Sequence, residues 1–355
     1  MSNKIYFTPG PSQLFYTVAD HLKKAIKVDI CSISHRSAEF KKIYEFTIEQ
    51  LKILLDLPDG YQIVFASSAN EIWERLIQNL TSQNSHHFVN GAFSNKFLSF
   101  AHQYGRQSTS ESVNDGADFK NWQIPPETEL ISLTLNETSI GYQITNDEIA
   151  SVRHANPEKL IALDVVSAFP AIKIDTDLID TAYFSVQKCF GLPSGLGVWI
   201  VNPKCIESAK KLNDSQVTGS YHQLTQMIEM GLKFQTAETP NTLGIYLLGK
   251  VAEDMLIRGK KSIINDTIYK SSILYSAIEN SSLSPFIENK EHRSKTVIVA
   301  NAGPNTTKLL KDADSKGWVI GSGYGKHKEN HIRIANFPTH SKEQIEQLCD
   351  FISKY

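Results

Sequence analysis

The sequence is poor in several features that would have settled its class at once. It has four cysteines, at 31, 189, 205 and 349, and no CxxC pair. That excludes a zinc ribbon and a dithiol redox centre, and it fits a reducing compartment for a chain of 355 residues. No basic excess is present: 36 Lys plus Arg stand against 38 Asp plus Glu, for a net charge of −2. Nucleic-acid and membrane-surface proteins usually show such an excess, so neither partner is expected. The mixed-sign run ENKEHRSK (288–295) reads as a solvated face. No apolar run approaches the roughly 18 residues of a membrane span, and MSNKIYFTPGPSQ has no apolar signal core. No internal repeat and no low-complexity tract is visible. A cytoplasmic protein is the expectation, with no metal.

What is present is an alternation of short apolar runs and helical patterns. YQIVFAS (61–67) runs into SANEIWERLIQNL, where Ile72, Leu76, Ile77 and Leu80 share a helical face. HHFVNG (86–91), ELISLTL (129–135), LIALDVV (160–166), TAYFSV (181–186) and GVWIVN (197–202) are further strand candidates. Their continuous Val/Ile/Leu character predicts strands buried on both faces, in a mainly parallel sheet sandwiched by helices. After about residue 245 a long helical stretch, 245–278, leads to KTVIVANA, WVIGSG, HIRIAN and a closing helix, which predicts a smaller α+β domain. The expected organisation is an N-terminal segment (1–15), a large domain (16–245) and a small domain (246–355).

In such sheets ligands bind beyond the C-terminal strand ends. Ser68-Ala69-Asn70-Glu71 is an S-x-x-E capping box at one of them. It either caps a helix only or offers free N–H groups and a positive dipole end to a phosphate. GSGYG (321–325) lacks the G-x-G-x-x-G spacing and a following helix, and is set aside. Asp164 ends one strand, and Lys188 lies just past the next, in SVQKCFGLPSG, with no other charge nearby. The two form either a structural ion pair or the two ends of one cofactor. Pyridoxal phosphate needs a lysine for its aldehyde, a carboxylate for its ring nitrogen, a flat side chain against the ring and donors for its phosphate. Asp164, Lys188 and the Ser68 loop supply three of these. Phe93, in NGAFSNKF, is the candidate for the fourth, or a core aromatic.

These residues carry a resemblance to the class V, fold-type I pyridoxal-phosphate aminotransferases, in the group of phosphoserine aminotransferase and the alanine– or serine–glyoxylate aminotransferases. FTPGPS (7–12), SHRS (34–37), SSANE (67–71), NETSIG (136–141), DVVSA (164–168), QKCFGLPSGL (187–196), TPNT (239–242) and HIRIANFP (331–338) are similar to the family's segments and stand in the family's order.

The resemblance implies a pyridoxal 5′-phosphate enzyme with a mainly parallel, seven-stranded-type sheet and a small C-terminal domain. Lys188 would carry the cofactor and move the substrate α-proton, and Asp164 would pair with the ring nitrogen. Ser68, Ala69, Asn70, Phe93, Thr138, Ser167, Gln187, Thr239 and Thr242 would surround the cofactor, with Thr239 reaching in from a second subunit of a homodimer. Arg333 would clamp the substrate carboxylate, and His35 and Arg36 would lie at the side-chain end. The implied reaction is ping-pong transamination between an amino acid and a 2-oxo acid. NETSIG and the chain length lean to phosphoserine:2-oxoglutarate, whereas QKCFGLPSGL and DVVSA look equally like the glyoxylate enzymes. Two departures stand out: SSANE has no arginine before Arg75, and Glu238 replaces the family's Asn before Thr-Pro. A cysteine desulfurase would need a reactive mobile cysteine, and Cys189 reads as packing. A non-catalytic paralogue would have lost Lys188 or Asp164.

Overall fold

The computed structural model describes residues 4–215, 218–220 and 222–355. Its larger sheet has seven strands, in the order Gln62–Ala66, Gly197–Val201, Thr181–Ser185, Leu160–Asp164, Leu130–Thr134, Ser85–Val89 and Thr109–Ser112. Gly197–Val201 runs antiparallel to both its neighbours, and every other pairing is parallel. Six strands therefore point the same way, as the continuous apolar runs predict.

Both faces of this sheet are covered. Ile161, Leu163, Ala182 and Phe184 belong to one core, and Leu160, Ala162 and Tyr183 to the core on the opposite face. Consecutive strand residues point to opposite faces, so a strand with helices on both sides must be apolar throughout. The edge strand Thr109–Ser112 is the exception. It is TSES, mostly exposed, and carries no apolar signal from which to predict it. Polar residues suit an edge, where they discourage pairing with another chain.

The second sheet has five strands, in the order Ile5–Phe7, Trp318–Ser322, His331–Ala335, Val297–Asn301 and Ser284–Pro285. Its core contains Phe7, Ile298, Ile332, Ile334 and Leu348, the last from the closing helix Lys342–Ile352. The N-terminal strand joins here, with Ile5 opposite Trp318. The predicted long helix over 245–278 is two helices, Thr242–Arg258 and Lys260–Glu279. Gly259 separates them at φ +91°, a left-handed backbone value that glycine adopts without strain.

Parallel alignment brings the C-terminal ends Ala66, Val89, Thr134, Asp164 and Ser185 to one edge of the large sheet. Gly197, at the start of the reversed strand, pairs with both Ala66 and Ser185 there. A Cβ on Gly197 would lie 2.6 Å from the Ser68 carbonyl carbon. Glycine thus lets the reversed strand pass directly under the start of the helix Ala69–Leu80.

Candidate active site

At this edge lies a cavity of about 170 Å³. Ala69, Asn70, Phe93, Thr138, Asp164, Gln187 and Lys188 all line it, together with Gly10, Trp73, Thr134, Asn136, Val166 and Ser185. Seven residues singled out in the sequence, from five separate segments, thus meet in one space.

Each is delivered by local structure. The Ser68 hydroxyl accepts from Glu71 N at 3.2 Å and caps the helix Ala69–Leu80. The expected reciprocal bond goes one residue further back: Glu71 accepts from Ser67 N at 2.9 Å. Ala69 N–H donates to Ser185 Oγ at 2.8 Å, which ties this helix start to the neighbouring strand. Asp164 is wholly within the protein, and its Oδ1 accepts from Val166 N at 2.9 Å. Burial pushes its pKa up to about 7, a rise that Glu137 adds to and Val166 N–H and Lys188 oppose. Lys188 is buried, and burial brings its pKa down to about 8 against the pull of Asp164. Desolvation therefore outweighs mutual attraction at both groups and pushes each toward its neutral form. Lys188 Nζ donates to Pro9 O at 2.8 Å and lies 5.5 Å from the centre of the Phe93 ring.

Behind the cavity wall Ser167 is fully buried. Its Oγ accepts from Asn136 Nδ2 at 2.7 Å and from Thr138 Oγ1 at 2.8 Å, and donates to Asn136 O at 3.1 Å. Ser167 therefore orients Asn136 and Thr138 and does not itself line the cavity. Arg333, on the strand His331–Ala335, donates Nε–H to Ser322 O at 2.9 Å and an Nη1–H to Thr138 O at 3.3 Å. Its guanidinium lies 5.2 Å from the Tyr324 ring, and that ring lies 5.2 Å from Phe93. Tyr324 belongs to the GSGYG segment that the sequence reading set aside. Glycine spacing carries no trace of an aromatic contact made across two sheets.

Four sequence candidates lie elsewhere in the single chain. Arg36 donates to Gln235 Oε1 at 2.7 Å and Thr236 O at 2.8 Å, with His35 beside it. Thr239 lines a separate hollow of about 290 Å³ together with Glu238, Glu71 and His222. Thr242 Oγ1 donates to Ile30 O at 3.3 Å. Arg75 spends its guanidinium on Gln78 and Glu71 within its own helix, so it supplies no charge to the cavity. None of the four cysteines lines the cavity: Cys189 and Cys205 are buried with thiols pushed up by burial, and burial raises Cys349 to about 12. Cys31 is exposed.

The donor set fits pyridoxal phosphate. Gln187 Oε1 and Asn136 Oδ1 are buried, border the cavity and have no partner among the described residues, so these amide oxygens are available to a ligand. Half a turn of the Gln187 amide presents its N–H groups instead. A protonated ring nitrogen would give the buried Asp164 carboxylate the cation it lacks.

The chain is similar to known proteins over nearly its whole length. The pattern of the aminotransferase class-V family matches residues 5–328. A crystal structure of a phosphoserine aminotransferase from Cytophaga hutchinsonii is 44% identical in sequence, covers 100% of this chain and 99% of its own, and superposes with a TM-score of 0.97. The phosphoserine aminotransferase of Rhodococcus opacus (strain B4) is 28% identical over 359 residues, spanning 98% of this chain and 93% of that protein. An alanine–glyoxylate aminotransferase from Nostoc sp. shares the fold, with a TM-score of 0.85 at 17% identity, covering 100% of this chain and 95% of its own.

Proposed function

We propose that this chain, which belongs to the aminotransferase class-V family, transfers the amino group of phosphoserine to 2-oxoglutarate with pyridoxal 5′-phosphate as cofactor. The observation that carries the reading is the convergence of Asp164, Lys188 and the Ala69–Asn70 helix start in one cavity. The choice of phosphoserine leans on the relative that is 44% identical over the whole chain.

Bound there, the cofactor would supply an electron-withdrawing ring that stabilises negative charge at the substrate α-carbon. The remaining roles fall to the chain's own residues. Asp164 would hold the ring nitrogen protonated. Ala69 and Asn70, at a helix start, and the Gln187 amide would hold the phosphate. Ser68 caps that helix, and Ser167 fixes Asn136 and Thr138 beside the ring. Phe93 would cover one ring face. Lys188, with its pKa already lowered to about 8, would take the substrate α-proton and deliver it to C4′ of the cofactor. Arg333 would fork onto the substrate carboxylate, which suits a planar guanidinium better than an ammonium.

His35, Arg36 and Thr239 do not line the cavity of their own chain. In a homodimer they would complete the site of the partner, with Thr242 placing the Thr239 segment. The enzyme would then work as a cytoplasmic dimer; no helix among the described residues is long and apolar enough to cross a membrane.

A small-donor reading, alanine or serine with glyoxylate, keeps one observation in its favour: among the described residues of a single chain, Lys188 is the one cation lining the cavity. The test is half-reaction spectroscopy. Protein loaded with pyridoxal phosphate is mixed in turn with phosphoserine, serine, alanine and glutamate. Loss of the visible band at the lowest concentration with phosphoserine supports the proposal. Preference for alanine or serine selects the small-donor reading.

A further inference from the structure

Glu137 is the most deeply buried carboxylate beside the site, with 0% of its surface exposed. Its Oε2 accepts from Ser94 N at 2.9 Å and Ser94 Oγ at 3.0 Å. Its Oε1 accepts from Phe93 N at 3.3 Å, Ser139 N at 3.1 Å and Ser139 Oγ at 2.6 Å. Ser139 Oγ in turn accepts from Ala92 N at 3.0 Å. Ala92, Phe93 and Ser94 form the first turn of the helix Ala92–Gln103, so all three of its leading N–H groups are taken. Three of the five donors to Glu137 are backbone N–H groups, which cannot accept a proton in return. Space was made for it: a Cβ on Gly91 would stand 2.4 Å from Glu137 Cγ.

This has two consequences. The leading N–H groups of this helix are closed to any ligand. Phe93 is also the second residue of the clamped turn, so the carboxylate fixes where its ring stands relative to Lys188. Phe93 and Tyr324 lie between two cations, Lys188 and Arg333. The charged and titratable groups that face Lys188 are Asp164, Arg333, Cys189 and Glu137. Of these, Glu137 is the one that also anchors the ring.

We propose that Glu137 is a positioning residue of the transamination site: its carboxylate clamps the first turn of the helix Ala92–Gln103, holds Phe93 opposite Lys188, and supplies negative charge to the buried Lys188 and Arg333. The inference rests on the cofactor reading above. Glu137 raises the proton affinity of Lys188, so removing its charge shifts the lysine to titrate at lower pH.

The experiment measures how fast cofactor-free protein captures pyridoxal phosphate as a function of pH, because capture uses the neutral amine. In Glu137→Gln the midpoint moves to lower pH than in the wild type, and capture at neutral pH speeds up. In Glu137→Asp the charge remains but its reach is shorter. There the midpoint stays near that of the wild type, while the circular dichroism induced in the bound cofactor falls as Phe93 loses its anchor. A folded Glu137→Gln protein with an unchanged or raised midpoint overturns the proposal. So does a Glu137→Asp protein with undiminished dichroism, and so does failure of both variants to fold, which would make the carboxylate purely structural. A wild type that captures no cofactor at all would instead overturn the cofactor reading itself.

Discussion

The amine of Lys188 donates to the carbonyl oxygen of Pro9 at 2.8 Å, across 179 positions of sequence. The N-terminal segment is fixed to both sheets. Ile5–Phe7 pairs with Trp318–Ser322, while Ser12 N donates to Gln187 O at 3.2 Å and Phe15 N to Gly191 O at 2.8 Å. Pro9 is thus a fixed acceptor for the Lys188 amine.

Gly10 sits at φ +115° against the Lys188 stem, and an added Cβ would lie 3.0 Å from its Cε and Cγ. Gly10→Ala is expected to destabilise the protein by about 1 kcal/mol or more, from the left-handed backbone alone. It should also slow cofactor capture, because the lysine must shift. Thermal unfolding and stopped-flow capture check the two effects. Unchanged capture would detach the N-terminal segment from the lysine.

The pH dependence of the cofactor-free protein follows from Asp164. Its folded pKa, about 7, lies above the ordinary carboxylate value near 4. Between those values the folded state binds the extra proton, so stability falls as pH rises through the window. The buried His87, His340 and His331, with folded pKa values lowered to about 3, 3 and 4, act in the opposite direction below their ordinary value near 6.5. The difference between wild type and Asp164→Asn isolates the carboxylate. The variant's Tm advantage should grow from pH 5 to pH 8. A difference independent of pH would contradict this.

Arg333→Lys replaces a planar fork by a point charge. The loss should be that of a hydrogen bond to a charged group, about 1.5–3 kcal/mol, or roughly tenfold to a hundredfold in kcat/KM. It should strike every amino donor alike, since all share the α-carboxylate. A loss confined to phosphoserine would move Arg333 to the side-chain end of the pocket.

Much of this was legible in the sequence because strand ends are local signals. Asp164 closes LIALD, Lys188 follows TAYFSV, and a capping box follows YQIVFA. What stayed hidden depends on contacts between distant segments. Glu137 appears in the sequence only within NETSIG, and its work is to cap a helix whose first residues lie more than 40 positions earlier. Tyr324 reaches Phe93 from the second sheet, and Ile5 meets a strand more than 300 residues away. Thr109–Ser112 is a strand by position at an edge, with no apolar residue to announce it.

The central claim is that Lys188 holds the cofactor, and the protein contains its own control. Lys270 is also buried, with burial bringing its pKa down to about 7, but its amine is bonded to Phe337 O at 3.0 Å and His340 O at 2.9 Å, away from the cavity. A low pKa alone would not choose between the two lysines; the cavity does. Borohydride trapping of bound pyridoxal phosphate, followed by peptide mapping, decides directly. The account predicts label on the peptide containing Lys188 and none on Lys188→Ala, which also loses transamination. Label on Lys270, or a Lys188→Ala protein that turns over like wild type, would contradict it.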